Sequence, residues 1–524
     1  MLLKRGIRKH ADDHYKTNYT YNVYIGYILC MINLDSQQRE FLHDVAAAAF
    51  SNPFSEERLR LDKKIAQVSK FKARRELLDR VVTRMDRFVD GLEQQGRVRV
   101  DDAPAELRHD LEFALLFHVF HRFLDQLAEF IEEQRCADQT LVPLSFAEDL
   151  LAMLEHFGFN GRSAVRAVEM FYQFRRAYYF VDQGLIGTSA SMKELRLHLW
   201  NNVFTHEVRW YDRYLWNRME DFSTLILGET GTGKGAAAAA IGRSGYIPFD
   251  RKNRTFKESF TRSFVSLNLS QYPEALMESE LFGHKRGAFT GAIDDHDGIF
   301  SRCSPHGAIF LDEIGEVTTP VQIKLLKILQ DRVYTPVGSH EGLPFRGRVI
   351  AATNRAMDDL RAEDRFRDDF YYRLCSDVVV VPPLRQRIQE DPSELDDLVP
   401  HLVQRLTGEA SGELVDFVHA ALSKSIPKRY AWPGNVREVE QAVRRIILTG
   451  SYDGDYRAVA PNAREALRKA IDTGSLEAED LVANYCTMLY EQSKNYEEVG
   501  RRTGLDRRTV KRYVNLAAAQ RDQS

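Results

Sequence analysis

"STLILGETGTGKGAAAAAIG", Ser223 to Gly242, is the stretch that decides the fold. A short apolar run enters a glycine-rich turn, and an alanine-rich run leaves it. The first part reads as a buried strand and the last as a helix. "GETGTGKG", Gly228 to Gly235, joins them. Strand, glycine-rich turn and helix in this order make a cradle for phosphate. Glycines let the backbone fold tightly so that its N–H groups point inward, and the helix N-terminus adds partial positive charge. Gly228, Glu229, Thr230, Gly231, Thr232, Gly233, Lys234 and Gly235 are therefore the candidate nucleotide-binding residues. Lys234 is placed to reach the β- and γ-phosphates of ATP.

Downstream, apolar runs keep alternating with helical ones. "FVSLNL", "GAIFLDE", "RVIAATN" and "SDVVVV" read as four further strands. A helix is expected from Pro273, and another in "PVQIKLLKILQ", with Pro320 in its first turn. Apolar strands spaced by helices predict an α/β fold, a parallel sheet with helices on both faces. Asp312 and Glu313 end one of these strands, where such sheets present ligands. Asp312 is the candidate Mg²⁺ ligand, and Glu313 the candidate to align and polarise an attacking water. Gly235 stands where a P-loop usually carries the Ser or Thr that touches Mg²⁺. The ion would then rely on phosphates, waters and acids from elsewhere.

Upstream, residues 31–185 read as mostly helical. In "LRHDLEFALLFHVFHRFLDQLAEFI" apolar residues recur at helical spacing: Leu111, Leu115, Val119, Phe123, Leu127 and Phe130. Pro104 suits the start of this helix. Short strands do not alternate with helices here, which argues against a phospho-receiver domain. His118, His121 and Asp125 share a helix face and read as packing or surface residues rather than a metal site. "FYQFRRAYYF", Phe171 to Phe180, reads as a packed helix leading into the next domain rather than a base-stacking surface.

The chain has 524 residues, is 44% hydrophobic and 28% charged, and carries a net charge of -4. It is globular, and any nucleic-acid contact must come from a local basic patch. Cys30, Cys136, Cys303, Cys375 and Cys486 are scattered, without disulfide or zinc spacing, which suits a reducing cytoplasm. The apolar run Tyr21 to Leu34 is shorter than the ~20 residues of a spanning helix, so no membrane association is expected. The composition changes abruptly at "MINLDSQQREFL", which makes Met31 a candidate start and 1–30 an upstream extension.

Further motifs make the family specific: "ESELFGHKRGAFTGA", "GAIFLDEIGEV", "AATNR", "RFRDDFYYRL", "PPLRQR" and "WPGNVREVE". With "GETGTGKG", they resemble the bacterial enhancer-binding proteins, AAA+ ATPases that activate sigma-54 RNA polymerase. The resemblance runs from Gly187 to Leu448. It implies an AAA+ core with a helical lid, ATP hydrolysis with Mg²⁺, and a ring, hexameric by analogy. It implies that Asn268 senses the γ-phosphate through Glu313 and that Asn354 is sensor I. Arg367 and Arg373 match arginine fingers given to a neighbouring subunit, and Arg437 matches sensor II. Gly287, Ala288, Phe289, Thr290, Gly291 and Ala292 match the loop that touches sigma-54, which gives an exposed aromatic a purpose. Position 235 is commonly not a hydroxyl residue in this family. Two segments depart from the family pattern: Gly245 to Ser263, and "IQEDPSEL" after "PPLRQR".

"NYEEVGRRTGLDRRTVKRYV", Asn495 to Val514, has helix–turn–helix character. Tyr496, Val499, Leu505, Val510 and Val514 form an apolar side, Gly504 falls in the turn, and Asp506 can cap the second helix. Arg507, Arg508, Thr509, Lys511 and Arg512 are the candidate DNA-binding residues. The unit resembles the Fis-like domain that ends many members of the family. The expected organisation is a helical regulatory region over 1–185, the ATPase α/β subdomain over 186–390, the lid over 391–450, a linker over 451–474 and the DNA-binding unit over 475–524. The expected function is activation of transcription from upstream double-stranded DNA by remodelling of the closed sigma-54 RNA polymerase complex. The alternatives are an AAA+ remodeller of another protein, or a DNA-binding regulator whose nucleotide site does not hydrolyse.

Overall fold

The computed structural model describes residues 34–452 and 477–521, apart from positions 97, 364, 428, 429 and 494. Residues 1–30, Met31 and nearly all of the expected 451–474 linker lie outside the described residues. The chain divides into two compact units. The larger holds residues up to 419 together with 429–444, and the smaller holds 420–428 with 445–524.

Among the described residues, the first seven α-helices of the larger unit are α1 Ser36–Phe50, α2 Glu56–Ala66, α3 Arg74–Gln95, α4 Ala105–Arg122, α5 Leu124–Ala137, α6 Ala147–His156 and α7 Arg162–Gln183. Asp35 starts α1 through a capping box, accepting from Gln38 N at 2.8 Å while Gln38 Oε1 accepts from Asp35 N. The stripe Leu77, Val81, Met85, Val89 and Leu92 is buried along α3. The helix expected over Leu107 to Ile131 is two helices. Phe123, at φ -105 and ψ 11, interrupts it, although the apolar spacing continues through the break and Leu111, Leu115, Val119, Phe123, Leu127 and Phe130 are all buried. His121 is a packing residue: its Nδ1 lies 2.8 Å from the Phe117 carbonyl, and burial pushes its pKa down to about 3. His118 faces Asp86 at 3.1 Å.

Helix α8, Ala190–Phe204, leads into the sheet. Its strands are β1 Thr224–Leu227, β2 Phe264–Asn268, β3 Ala308–Asp312, β4 Arg348–Thr353 and β5 Asp377–Val380, all where the apolar runs predict them. Their order is β2-β3-β4-β1-β5 and every pairing is parallel. Helix α9, Lys234–Gly242, follows β1. The fold is an α/β subdomain built on a five-stranded parallel sheet, and the helices Glu394–Thr407 and Asn435–Thr449, in the segment expected to form the lid, follow it.

Helix α7 ties these parts together. It is buried on nearly every side, from Ala164 to Val181, as a helix packed between two layers must be. The unusual segment 245–263 forms a short antiparallel ribbon, Phe249–Asp250 with Thr255–Phe256, laid against it. Tyr172 of α7 stacks on Phe256 with ring centroids 3.8 Å apart. Glu169 accepts hydrogen bonds from the Tyr246 hydroxyl and from Phe249 N. Leu144 N donates to Arg254 O at 2.7 Å, and Ser259 Oγ to Asp138 O at 2.6 Å. One apolar cluster therefore runs from Leu34 through α7 to the sheet residues Ile226, Phe310 and Val379.

In the smaller unit, helices Ala478–Ser493, Tyr496–Thr503 and Arg507–Arg521 enclose Cys486, Leu489, Val499, Val510 and Val514. Among the described residues, no helix is long and apolar enough to cross a membrane.

Candidate functional site

The cradle forms where β1 ends. Gly231 (φ +81) and Gly233 (φ +108) occupy the left-handed region that side chains resist, so the turn requires glycine there. Thr232 Oγ1 donates to Glu229 O at 2.8 Å, closing the turn. Lys234 opens α9 and is buried. Its Nζ donates to Gly228 O at 2.9 Å and Glu229 O at 3.3 Å. Burial pushes its pKa down, while the charges of Glu313 and Asp312 pull it up. Both acids are thus within electrostatic reach of the lysine.

Strand β3 presents the acids. Asp312 stands in register with Asn268 on one side and Ala352 on the other. Glu313 follows in the left-handed region (φ 58), its N–H donating to Asp312 Oδ1 at 3.1 Å. A non-glycine residue held there costs about 1–2 kcal/mol, and such strain clusters at functional sites. Asn354, at the end of β4, donates from Nδ2 to Thr230 Oγ1 at 2.9 Å and so touches the cradle. Arg437 N donates to Gly231 O at 3.3 Å, and its charge lowers the Lys234 pKa.

Other expected site residues are engaged elsewhere. Asn268 Oδ1 accepts from Ser270 N at 3.0 Å and Ser270 Oγ at 2.7 Å, so it caps its own turn. Arg367 pairs with Asp369 at 2.7 Å, and Arg373 donates to Leu329 O at 2.8 and 3.0 Å. Arg367 precedes and Arg373 lies within the helix Asp368–Leu374, which packs on the helix Thr319–Asp331. A Cβ on Gly235 would meet only the Phe310 ring, at 3.9 Å. Space does not require glycine at that position.

The donor set suits Mg²⁺. Among the described residues there is no cluster of three or more His, Cys, Asp or Glu side chains. Mg²⁺ in phosphate sites takes one or two carboxylates and completes its shell with phosphate and water, and the Asp312 carboxylate at the end of β3 matches that need.

Several contacts here were not legible in the sequence. Arg385 forms a bidentate pair with Glu229 at 2.5 and 2.7 Å, and buried Asn435 donates to Glu229 Oε2 and Thr230 O. Arg387 and Glu394 form a buried pair at 2.7 Å, with Arg387 also donating to Ile186 O. Glu394 in turn accepts from Ser189 N. The departure after "PPLRQR" thus ties the 186–189 segment to the lid. A cavity of about 610 Å³ opens beside that tie, lined by Ile186, Gly187, Thr188, Pro400, His401 and Gln404 among others, and no cradle residue lines it.

The loop 287–292 is closed by Gly287 N donating to Ala292 O at 2.9 Å. Gly287 (φ +78) and Gly291 (φ +101) have open space around them, so backbone conformation rather than crowding calls for glycine. Phe289 is 37% exposed, its ring edge-on to His284 at 4.8 Å. Thr290 is exposed, whereas Ala288 is half-buried and Ala292 buried. Ile293, not singled out from sequence, is 74% exposed. The loop base is held by Lys285, whose N–H donates to Val337 O and whose ammonium pairs with Asp295 at 2.8 Å.

In the C-terminal unit, Gly504 takes the left-handed region (φ +73) between the two helices. Asp506 accepts from Arg508 N, Thr509 N and Thr509 Oγ1, so the Thr509 hydroxyl is occupied by the cap. Arg507, Arg508, Lys511 and Arg512 are exposed.

Residues 211–380 match the sigma-54 interaction domain. The sigma-54-dependent transcriptional activator SfnR of Pseudomonas putida is 36% identical over 282 residues, which cover 53% of this chain and 71% of SfnR. The chain belongs to the family of sigma-54-dependent transcriptional regulators. The hydrogenase transcriptional regulatory protein HoxA of Cupriavidus necator is 39% identical over 231 residues, 44% of each chain. The regulatory protein AtoC of Escherichia coli is 39% identical over 229 residues, 44% of this chain and 46% of AtoC. The chain thus spans under half the length of these two relatives.

Proposed function

We propose that the protein is a cytoplasmic ATPase that activates transcription by remodelling sigma-54 RNA polymerase from upstream DNA. What supports this reading is that Lys234 and Asn354 bond to the glycine-rich turn while Asp312 and Glu313, at the end of strand β3, lie within electrostatic reach of Lys234. On nucleotide binding, Lys234 exchanges the Gly228 and Glu229 carbonyls for phosphate oxygens. Asp312 would hold Mg²⁺, which would supply charge neutralisation on the phosphates. Glu313 accepts a proton from the water that attacks the γ-phosphorus, and the bond to the bridging oxygen breaks. Asn268 and Asn354 report the γ-phosphate, and Arg437 approaches it from the lid. Arg367 and Arg373 leave their present partners to serve the next subunit's nucleotide, which makes a ring, hexameric by analogy, part of the active site. Phosphate release by the full chain tests the reading. A protein that binds ATP without releasing phosphate is the regulator with a non-hydrolysing site.

The GAFTGA loop is the proposed contact with sigma-54. Phe289 and Thr290 carry its exposed surface, with Ile293 beside them. Thr290→Ala is expected to keep ATP turnover and to lose co-sedimentation with sigma-54 in the transition-state nucleotide complex. Retained binding to sigma-54 would favour a remodeller of some other protein.

The helix Arg507–Arg521 is proposed to enter the major groove, with Arg508, Lys511 and Arg512 facing DNA. Each of these that meets a phosphate contributes about one unit to the slope of log affinity against log salt. Arg508→Ala with Lys511→Ala is expected to flatten that slope by about two units in fluorescence-anisotropy titrations. An unchanged slope would move DNA binding off this helix.

A further inference from the structure

We infer that Asn435 is a positioning residue, a latch that sets the phosphate cradle and the sensor arginine Arg437 in register through Glu229. The inference rests on reading Gly228–Gly235 as the nucleotide-phosphate site.

Asn435 is fully buried and uses its whole side-chain amide. Nδ2 donates to Thr230 O at 3.1 Å and Glu229 Oε2 at 3.2 Å, and Oδ1 accepts from Leu384 N at 2.8 Å. One side chain thereby joins the cradle, the segment that follows β5 and the first residue of a lid helix. Its backbone is left-handed (φ 54), a conformation that Asn tolerates better than most residues. Two donors, one acceptor, small size and left-handed backbone together select asparagine.

The carboxylate it holds is itself fixed. Arg385 grips Glu229 with two short bonds, and Arg385 first, then Asn435, keep the Glu229 carboxyl below its ordinary range. Glu229 therefore meets the lid with its side chain, leaving its backbone for the cradle. Beside it the two segments are in contact: a Cβ on Gly231 would lie 2.2 Å from Gly434 O. Two residues beyond the latch, Arg437 N donates to Gly231 O at 3.3 Å. A displacement of the lid helix start therefore moves both the cradle backbone and Arg437.

Asn435→Asp tests the latch. The change keeps the acceptor for Leu384 N and the shape, but replaces both donors by an anion facing Glu229. The full chain, Asn435→Asp, Glu229→Gln and the double variant are compared by MgADP titration calorimetry and steady-state ATP hydrolysis. Asn435→Asp is expected to raise KM for ATP and Kd for ADP roughly tenfold or more, with kcat moving far less. Loss of folded protein would instead lower kcat. In the double variant, the amide introduced by Glu229→Gln can donate to the carboxylate introduced by Asn435→Asp, and most of the affinity is expected to return. Unchanged KM in Asn435→Asp, or no recovery in the double variant, overturns the latch. Should Asn435→Asp fail to fold, Glu229→Ala, which removes the acceptor altogether at a side chain 42% exposed, is expected to raise KM in the same direction; an unchanged KM there overturns the latch. Should the unaltered protein bind no nucleotide, the reading of the site fails. The latch is then read from hydrogen exchange of the Thr230–Gly233 amides, faster in Asn435→Asp if it exists and unchanged if it does not.

Discussion

Replacing Glu313 by glutamine is expected to lower ATP turnover on the order of 10²–10⁴-fold, the range for losing a positioned general base, while nucleotide affinity stays as it was. The amide preserves size, the left-handed backbone (φ 58) and the N–H bond to Asp312 Oδ1, so the end of β3 keeps its shape. Only the ability to take a proton is lost. Nucleotide binding draws on the cradle amides and Lys234, which the change leaves in place. Lys234 loses the Glu313 charge that favours its protonated form, but Asp312 remains beside it. Single-turnover hydrolysis and equilibrium binding measured on the same sample separate the two effects. Turnover at the unaltered rate would take Glu313 out of its role.

The second large effect concerns the N-terminal helices. A chain beginning at residue 186 is expected to aggregate rather than to yield an unregulated ATPase. Helix α7 covers the α/β subdomain with residues that have no substitute. Phe174 packs on Phe204 at 4.8 Å, Tyr172 stacks on Phe256, and Phe180 meets Phe260 at 5.4 Å. Gln173 donates to Ser244 O at 3.0 Å, just after the cradle helix α9, and Arg176 donates to Gly245 O. Removing α7 bares Trp200, Phe204, Tyr211, Phe249, Phe256 and Phe260. At about 1.5–3 kcal/mol each, that loss is of the order of 10 kcal/mol. A domain's whole stability is about 5–15 kcal/mol. Size-exclusion chromatography and a thermal melt of the truncated chain decide the matter. A monodisperse protein with a cooperative transition near that of the full chain would show the shared core to be dispensable.

The same contact bears on regulation. A regulatory region on a flexible tether acts by arriving and leaving. Here the helices of 36–183 share a core with the sheet, and α7 touches the turn at the far end of α9 from the glycine-rich turn. Any change in the bundle that shifts α7 is applied to the cradle helix directly.

All five core strands were legible because buried parallel strands are unbroken apolar runs, and glycine or an acid marks their ends. The cradle, the Asp312–Glu313 pair and the capped turn at Gly504 were legible for the same reason: their chemistry lies within a few consecutive residues. The break at Phe123 was not, because helical spacing continues across it. Neither was the ribbon in 245–263, whose strands of two residues gain their burial from α7. Asn435 escaped notice because its partner Glu229 lies 206 positions away.

The order of strands and helices, the glycine-rich turn, the exposed loop at Phe289 and the basic helix at Arg507 follow from the sequence by itself, since each depends on neighbours along the chain. Only the tertiary structure decides that α7 belongs to the core of the α/β subdomain, that Arg367 and Arg373 are held by Asp369 and the Leu329 carbonyl, and that Asn435 binds the glycine-rich turn. Burial and the pairing of hydrogen-bonding groups depend on segments far apart in sequence, and those meet only when the chain has folded.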